Sequence, residues 1–197
     1  MEHRLLLLVE AVKRYPTLDL EIDFLRSPAL FNTTSTTLEQ RRGIVYGFIR
    51  SARAVLRTGR RLGVRIPPHF ALLDDLGIDL QRLVGAGPPG YTNQLIDYVS
   101  AGINFFSFQP ANSDFAAIRA MLPDTLRVLW ELSAFSASGR RFKNCTSAGH
   151  WRMSREQLAT LALQAFSLGA DGISAFNFEY YRDFADVSCT RWLWLCV

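Results

Sequence analysis

Leu18-Asp19-Leu20-Glu21-Ile22-Asp23-Phe24-Leu25-Arg26 decides how this chain is read. Acidic and apolar residues alternate from Leu18 to Asp23. Successive side chains of a strand point to opposite faces, so Asp19, Glu21 and Asp23 share one face and Leu18, Leu20 and Ile22 the other. The apolar face needs a core. The acidic face needs water, a metal, a substrate or a cationic partner, because a row of like charges repels itself. A solvated edge strand carries the same alternation, and the pattern alone favours that reading. The rest of the chain favours a site, because it repeats strand–helix units whose strands also end on polar residues.

Working outward, Leu5, Leu6, Leu8, Val9 and Val12 predict an amphipathic helix stopped by Pro16. Thr17–Phe24 is the first predicted strand. Thr36-x-x-Glu39 has the form of a capping box, ahead of a helix with Ile44, Val45, Phe48, Ile49, Ala52, Val55 and Leu56 on one face and Gly59 as its stop. Further strands are predicted at Leu62–Ile66, Leu95–Ser100, Leu126–Leu132 and Ile173–Phe178. Short helices fall around Asp79–Val84 and over Asp114–Leu122. A helix capped by Ser154-x-x-Gln157 buries Leu158, Leu161, Ala162, Ala165 and Phe166 and stops at Gly169. Ser133–His150 reads as a long polar loop. Strands alternating with helices predict an α/β fold with a parallel sheet under crossover helices.

The 197 residues suit one domain, with net charge +4 and pI near 9.2. The basic residues are almost all arginine, scattered apart from three Arg-Arg pairs. They form no stripe interleaved with aromatics, so no nucleic-acid surface is expected. Cys145, Cys189 and Cys196 fit neither a zinc pattern nor a complete disulfide framework. His3, His69 and His150 have no partners at metal-ligand spacing, and His69, after two prolines, reads as an exposed loop residue. No metal or cofactor is expected. The longest apolar run, Leu5–Val9, is too short for a membrane span or a signal-peptide core, so no membrane partner is expected and localisation stays open. Asn32-Thr33-Thr34 and Asn144-Cys145-Thr146 fit the glycosylation sequon.

Leu20–Arg26, followed by Pro28 and Phe31, resembles the "DGIELDFMR" strand of glycoside-hydrolase-like TIM-barrel proteins, most of them uncharacterised. Arg61–Pro67 is similar to their next strand, Leu95–Val99 to the one after, and Gly169–Phe178 to their last. Leu18-Asp19 stands where the family has Asp-Gly, and after Arg182 the tail, atypical over 183–197, no longer resembles it. A complete barrel takes about 250 residues and eight strands. The resemblance therefore implies a partial (β/α) TIM-type barrel of about five parallel strands, equivalent to strands four to eight, in a single and incomplete domain over 1–197 with open sheet edges that favour self-association.

In such barrels the reactive groups sit at the C-terminal ends of strands. The resemblance implies a carbohydrate substrate and two facing carboxyl groups, one donating a proton and the other attacking or activating water. Asp23 or Glu21 is the expected acid/base and Glu131 the nucleophile or stabiliser, with Arg26 and Arg65 holding a carboxylate ionised. Tyr98, Asn177 and Glu179 are further substrate-binding candidates. Trp130, Phe105, Phe108, Tyr180 and Tyr181 are candidate faces for a sugar ring, or else core. Glu131 has a second, less favoured reading as a buried carboxylate satisfied by Arg65, and Asn177 and Glu179 read equally as ties at the barrel mouth. The alternative function is a non-catalytic or vestigial carbohydrate-binding barrel fragment.

Overall fold

The computed structural model describes residues 2–25, 30–56, 58–87, 90, 93–102, 113–132, 135–136, 151–152 and 155–175. Their elements run α1 (Glu2–Arg14), β1 (Leu20–Asp23), α2 (Leu38–Val55), β2 (Leu62–Ile66), α3 (Phe70–Leu76), α4 (Leu80–Leu83), β3 (Tyr98–Ala101), α5 (Phe115–Ala120), β4 (Arg127–Leu132), β5 (Phe135–Ser136), β6 (Trp151–Arg152), α6 (Arg155–Ser167) and β7 (Gly172–Ala175). Five strands form one parallel sheet in the order β1-β2-β3-β4-β7. Each new strand joins beside the previous one, with no reversal of direction. Among the described residues the sheet is not closed, and β1 and β7 are its edges. The expected parallel α/β fold is present. Part of the predicted 133–150 loop is instead ordered as a short antiparallel ribbon of β5 with β6.

The register divides the sheet into two chemically distinct faces. Ile22, Val64, Val99, Val128 and Trp130 lie on one face and join Val45, Ile49 and Ala52 of α2, Leu73 and Leu76 of α3, Phe115 and Ile118 of α5, and Leu161 and Ala165 of α6 in a single core. Trp130 meets Phe115 edge-on, ring centroids 5.0 Å apart, a favoured aromatic geometry. The opposite face carries Glu21, Asp23, Gly63, Arg65, Tyr98, Ser100, Leu129, Glu131 and Ser174, none of them in that core. The helices therefore cover one face and leave the other for polar chemistry.

α2 begins one residue later than its sequence pattern suggests. Thr37, not Thr36, is the cap: its hydroxyl accepts from the Gln40 N–H and the Gln40 side chain accepts from the Thr37 N–H. Thr36 is engaged elsewhere, its hydroxyl donating to the Asn32 carbonyl at 2.7 Å, and Glu39 turns to Arg82. α3 has no counterpart in the sequence reading. It follows Pro67-Pro68 without a side-chain cap bond and ends at Gly77 in the left-handed conformation. Leu6 of α1, Ile44 of α2 and Phe166 of α6 are exposed, so their buried faces are narrower than the expected apolar pattern. Among the described residues no helix is long and apolar enough to cross a membrane.

Three aspartates secure the N-terminal end of the sheet. Each directly precedes a strand and accepts from a backbone N–H at the start of a neighbouring one: Asp19 from Arg61 at 2.9 Å, Asp97 from Leu62 at 2.7 Å and Asp171 from Val128 at 2.8 Å. Asp19 is therefore a structural tie at the end of the sheet opposite the acidic site.

Candidate active site

Two glycines let long side chains lie flat across the polar face. Arg65 on β2 reaches over β3 to Glu131 on β4, and the space it crosses is the one Gly102 leaves open just after β3. A Cβ on Gly102 would stand 2.6 Å from Leu25 Cδ1, 2.8 Å from Glu131 Oε1 and 3.1 Å from Arg65 Nε. Nearer the N-terminal end, the Tyr98 ring on β3 lies over Gly63 on β2, where an added Cβ would be 2.0 Å from Tyr98 Cζ. Without these gaps neither side chain could span its neighbouring strand.

Arg65 is the hub. Its Nε donates to Glu131 Oε2 at 2.6 Å, its Nη2 to Glu131 Oε1 at 2.7 Å and its Nη1 to Asp23 Oδ2 at 2.8 Å. Such paired, charge-assisted bonds are the strong, directional kind. Asp23 Oδ1 accepts from the Leu25 N–H at 2.7 Å, so both of its oxygens are engaged. Arg65 and Glu131 are 5% and 4% exposed, and burial at this level favours a charge only when it is paired. Burial works against the Arg65 charge, but the Glu131 and Asp23 carboxylates outweigh it and hold the guanidinium pKa above its ordinary value.

Glu21 faces the same space from β1 and has a different environment. Partial burial pushes its carboxyl pKa up, Arg65 opposes this, and the charges of Glu131 and Asp23 raise it further. The nearby Tyr98 hydroxyl favours the charged form and works the other way. Tyr98 itself is pushed up to about 12, first by burial and then by the charges of Glu21 and Asp19. Glu21, Arg65, Ser100, Leu129, Glu131, Ser174 and Ala175 line a cleft of about 280 Å³. The Ser100 and Ser174 hydroxyls stand 3.4 Å apart on its floor. The cleft thus combines a carboxyl biased toward its protonated form, a carboxylate fixed by a guanidinium, and hydroxyls able to bond a polar ligand.

Of the residues singled out from sequence, Glu21, Asp23, Arg65, Tyr98 and Glu131 lie together on this face. Trp130 does not: adjacent to Glu131 in the chain, it must point to the opposite face of the strand, where it is fully buried in the helix-covered core. It cannot offer its ring to a sugar at this cleft. Arg26, Phe105, Phe108, Asn177, Glu179, Tyr180, Tyr181 and the 183–197 tail lie outside the described residues. His69 is partly buried, not an exposed loop residue, with Nδ1 3.6 Å from Asp114 Oδ2. Gly102, Ser100 and Ser174 are the site residues that sequence reasoning missed. Their polar or side-chain-free positions at strand ends were visible, but their common face is set by cross-strand register.

Among the described residues no three His, Cys, Asp or Glu side chains are grouped to hold a metal ion. Compared with known protein families and with curated proteins, the chain finds no match in either.

Proposed function

We propose that this chain is a glycoside-hydrolase-like, carbohydrate-active protein built as part of a (β/α) TIM-type barrel, with Glu21, Asp23 and Glu131 as its acidic machinery. The single observation that carries the reading is the convergence of these three carboxyl groups around Arg65 on one face of a parallel sheet, with Glu131 near the C-terminal strand ends, Asp23 one row below it and Glu21 in the row nearest the N-terminal ends. Barrel enzymes place reactive groups at the C-terminal strand ends. A strand order without reversal, helices on one face and a polar opposite face also support a barrel-type segment. Glycoside cleavage requires one carboxyl that is protonated and one that is ionised. An acid whose surroundings raise its pKa fits the proton-donating role. Glu21, raised by burial and by neighbouring carboxylates, fits the proton donor. Glu131, gripped by Arg65, fits the nucleophile or charge stabiliser, and Asp23 completes the grip on Arg65.

A second reading draws on one specific observation. Both Glu131 oxygens are taken by Arg65 and the residue is almost fully buried, an arrangement that serves structure as well as chemistry. On that reading the protein binds carbohydrate without cleaving it, and association through the open sheet edges accompanies binding.

Hydrolysis of a panel of aryl glycosides and oligosaccharides by the full chain decides between the two, alongside Glu21→Gln and Glu131→Gln. The expected outcome is turnover that falls at least about a hundredfold in each variant, a transition-state loss of about 2.7 kcal/mol. Saturable glycan binding by calorimetry with no turnover favours the binding protein. Turnover that survives both substitutions within about tenfold rejects this catalytic pair.

A further inference from the structure

We infer that Tyr98 is a positioning residue, seated on Gly63 so that its hydroxyl reaches across β2 and sets both the place and the ionisation of Glu21. The inference rests on the proposed role of Glu21 as the acid of this site and reassigns Tyr98, which the sequence offers as a substrate contact.

Register pairs Glu21 with Gly63 and Gly63 with Tyr98, so the three lie in one row across β1, β2 and β3 on the same face. Neighbouring strands stand about 4.8 Å apart, and a tyrosine side chain is long enough to cross one strand toward the next. The ring takes that course. The atoms nearest a Cβ on Gly63 are Cζ, Cε2 and Cε1, at 2.0, 2.2 and 2.5 Å, which form the hydroxyl-bearing end of the ring. The hydroxyl therefore projects beyond Gly63 toward β1, where Glu21 is the facing residue. Any side chain at position 63 would occupy the volume of the ring itself.

The other charged groups around Glu21 are Arg65 from β2, Asp23 from β1 itself and Glu131 from β4, while Asp19 and Arg61 act on Tyr98. The helices pack on the opposite face and contribute none. A hydroxyl donated to a carboxylate stabilises the charged form. Tyr98 thus offsets part of what burial and the two acidic neighbours do to Glu21, and keeps its carboxyl turned along the sheet.

The test follows the side-chain carboxyl carbons of the full-length chain by NMR through a pH titration, in the wild type, Tyr98→Phe and Gly63→Ala. Tyr98→Phe keeps the ring on Gly63 and removes only the hydroxyl. The Glu21 ionisation constant is expected to fall about threefold or more in this variant, while that of Glu39, on α2, stays where it is. Gly63→Ala, which displaces the ring, is expected to move Glu21 in the same direction. An unchanged Glu21 midpoint in Tyr98→Phe, or a move to lower pH, overturns the inference, and this holds even where Gly63→Ala lowers stability. The titration needs no substrate. Absence of glycoside turnover would count against the proposed function and leave this result standing, and the reverse holds equally.

Discussion

Arg65 and Glu131 are joined by two parallel hydrogen bonds, Nε to Oε2 at 2.6 Å and Nη2 to Oε1 at 2.7 Å, across the strand that separates them. Neither residue is more than 5% exposed. The pair lies at the point where the sheet changes from scaffold to site, and each partner depends on the other to remain charged out of water. Removing one half of a buried pair costs about 3–5 kcal/mol, whereas replacing both by apolar groups is often neutral or stabilising. Arg65→Met is therefore expected to lower unfolding free energy by about 3–5 kcal/mol in urea, and Arg65→Met with Glu131→Leu to restore most of it. A single Arg65→Met that costs under about 1 kcal/mol would mean that the grip contributes little.

Gly102→Ala tests the same pair from the strand between its members. The added methyl would meet Leu25 Cδ1 at 2.6 Å and Glu131 Oε1 at 2.8 Å. Both are side-chain ends, but Glu131 is held by Arg65 and Leu25 by its buried position. Overpacking of this kind costs about 1–3 kcal/mol. The expected signature is non-additivity: in a double-mutant cycle with Arg65→Met, the two changes couple by about 0.5–3 kcal/mol, because each disturbs the same contact. Strict additivity would show that Gly102 does not serve the ion pair.

The parts of this structure that were legible in the sequence are those with a local period. Glu21 and Asp23 share a face because a strand alternates, and Leu62–Ile66 reads as a strand because Leu62, Val64 and Ile66 alternate with Gly63 and Arg65 in a short stretch closed by Pro67. The same rule, applied strictly, already separates Trp130 from Glu131, since neighbouring side chains within a strand point to opposite faces of the sheet. What no local pattern contains is register. Nothing in the sequence places Gly102 between Arg65 and Glu131, or Gly63 beneath Tyr98, because those adjacencies arise only when three strands align. Asp19 illustrates the converse. It continues the acidic alternation of Glu21 and Asp23, yet at the opposite strand end its carboxylate meets the Arg61 N–H and becomes a tie. The α2 cap shifted by one residue because Thr36 and Thr37 both match the pattern, and the choice depends on Asn32, in the preceding loop, which engages Thr36, and on Arg82, distant in sequence on α4, which engages Glu39.

Glu21 has a sign-specific pH signature. Its folded-state carboxyl pKa is raised above the ordinary 4.5, chiefly by burial. A group raised on folding binds its proton more tightly in the native state, so its contribution is fully present below 4.5 and is lost as pH rises through the folded value. Glu21→Gln, neutral at every pH, removes that loss. The variant is expected to be more stable than the wild type at neutral pH, with the advantage shrinking as pH falls through the raised folded value and largely gone by pH 4.5. The side chain keeps solvent access, so the gap is modest. Urea midpoints of both proteins between pH 4 and 8 check it, and an advantage that instead grows toward low pH would contradict the raised carboxyl.

Asp97 offers the clearest separation between the two ends of the sheet. Its Oδ2 accepts from the Leu62 N–H at 2.7 Å and pairs with the Arg53 guanidinium, which also donates to the Leu95 carbonyl at 2.7 Å and the Arg60 carbonyl at 3.0 Å. One carboxylate thus satisfies the first N–H of β2 and orients the arginine that closes the turn before it. Leu62 is fully buried, so water cannot replace the lost acceptor easily. Leaving a buried N–H unsatisfied costs about 1–3 kcal/mol, and Asp97→Ala is expected to fall in that range. Asp97→Asn keeps an oxygen acceptor and loses only the charge toward Arg53, so it should cost less. Asp124 is the control: fully exposed and 3.4 Å from Arg119, it forms the kind of surface pair that contributes about 0–1 kcal/mol, and Asp124→Ala should leave the midpoint nearly unmoved. Because Asp97 lies at the N-terminal strand end, Asp97→Ala should lower stability while leaving the proposed glycan binding or turnover by the folded protein unchanged. A loss of binding at full folding would place Asp97 in the site and overturn the division of labour between the two ends.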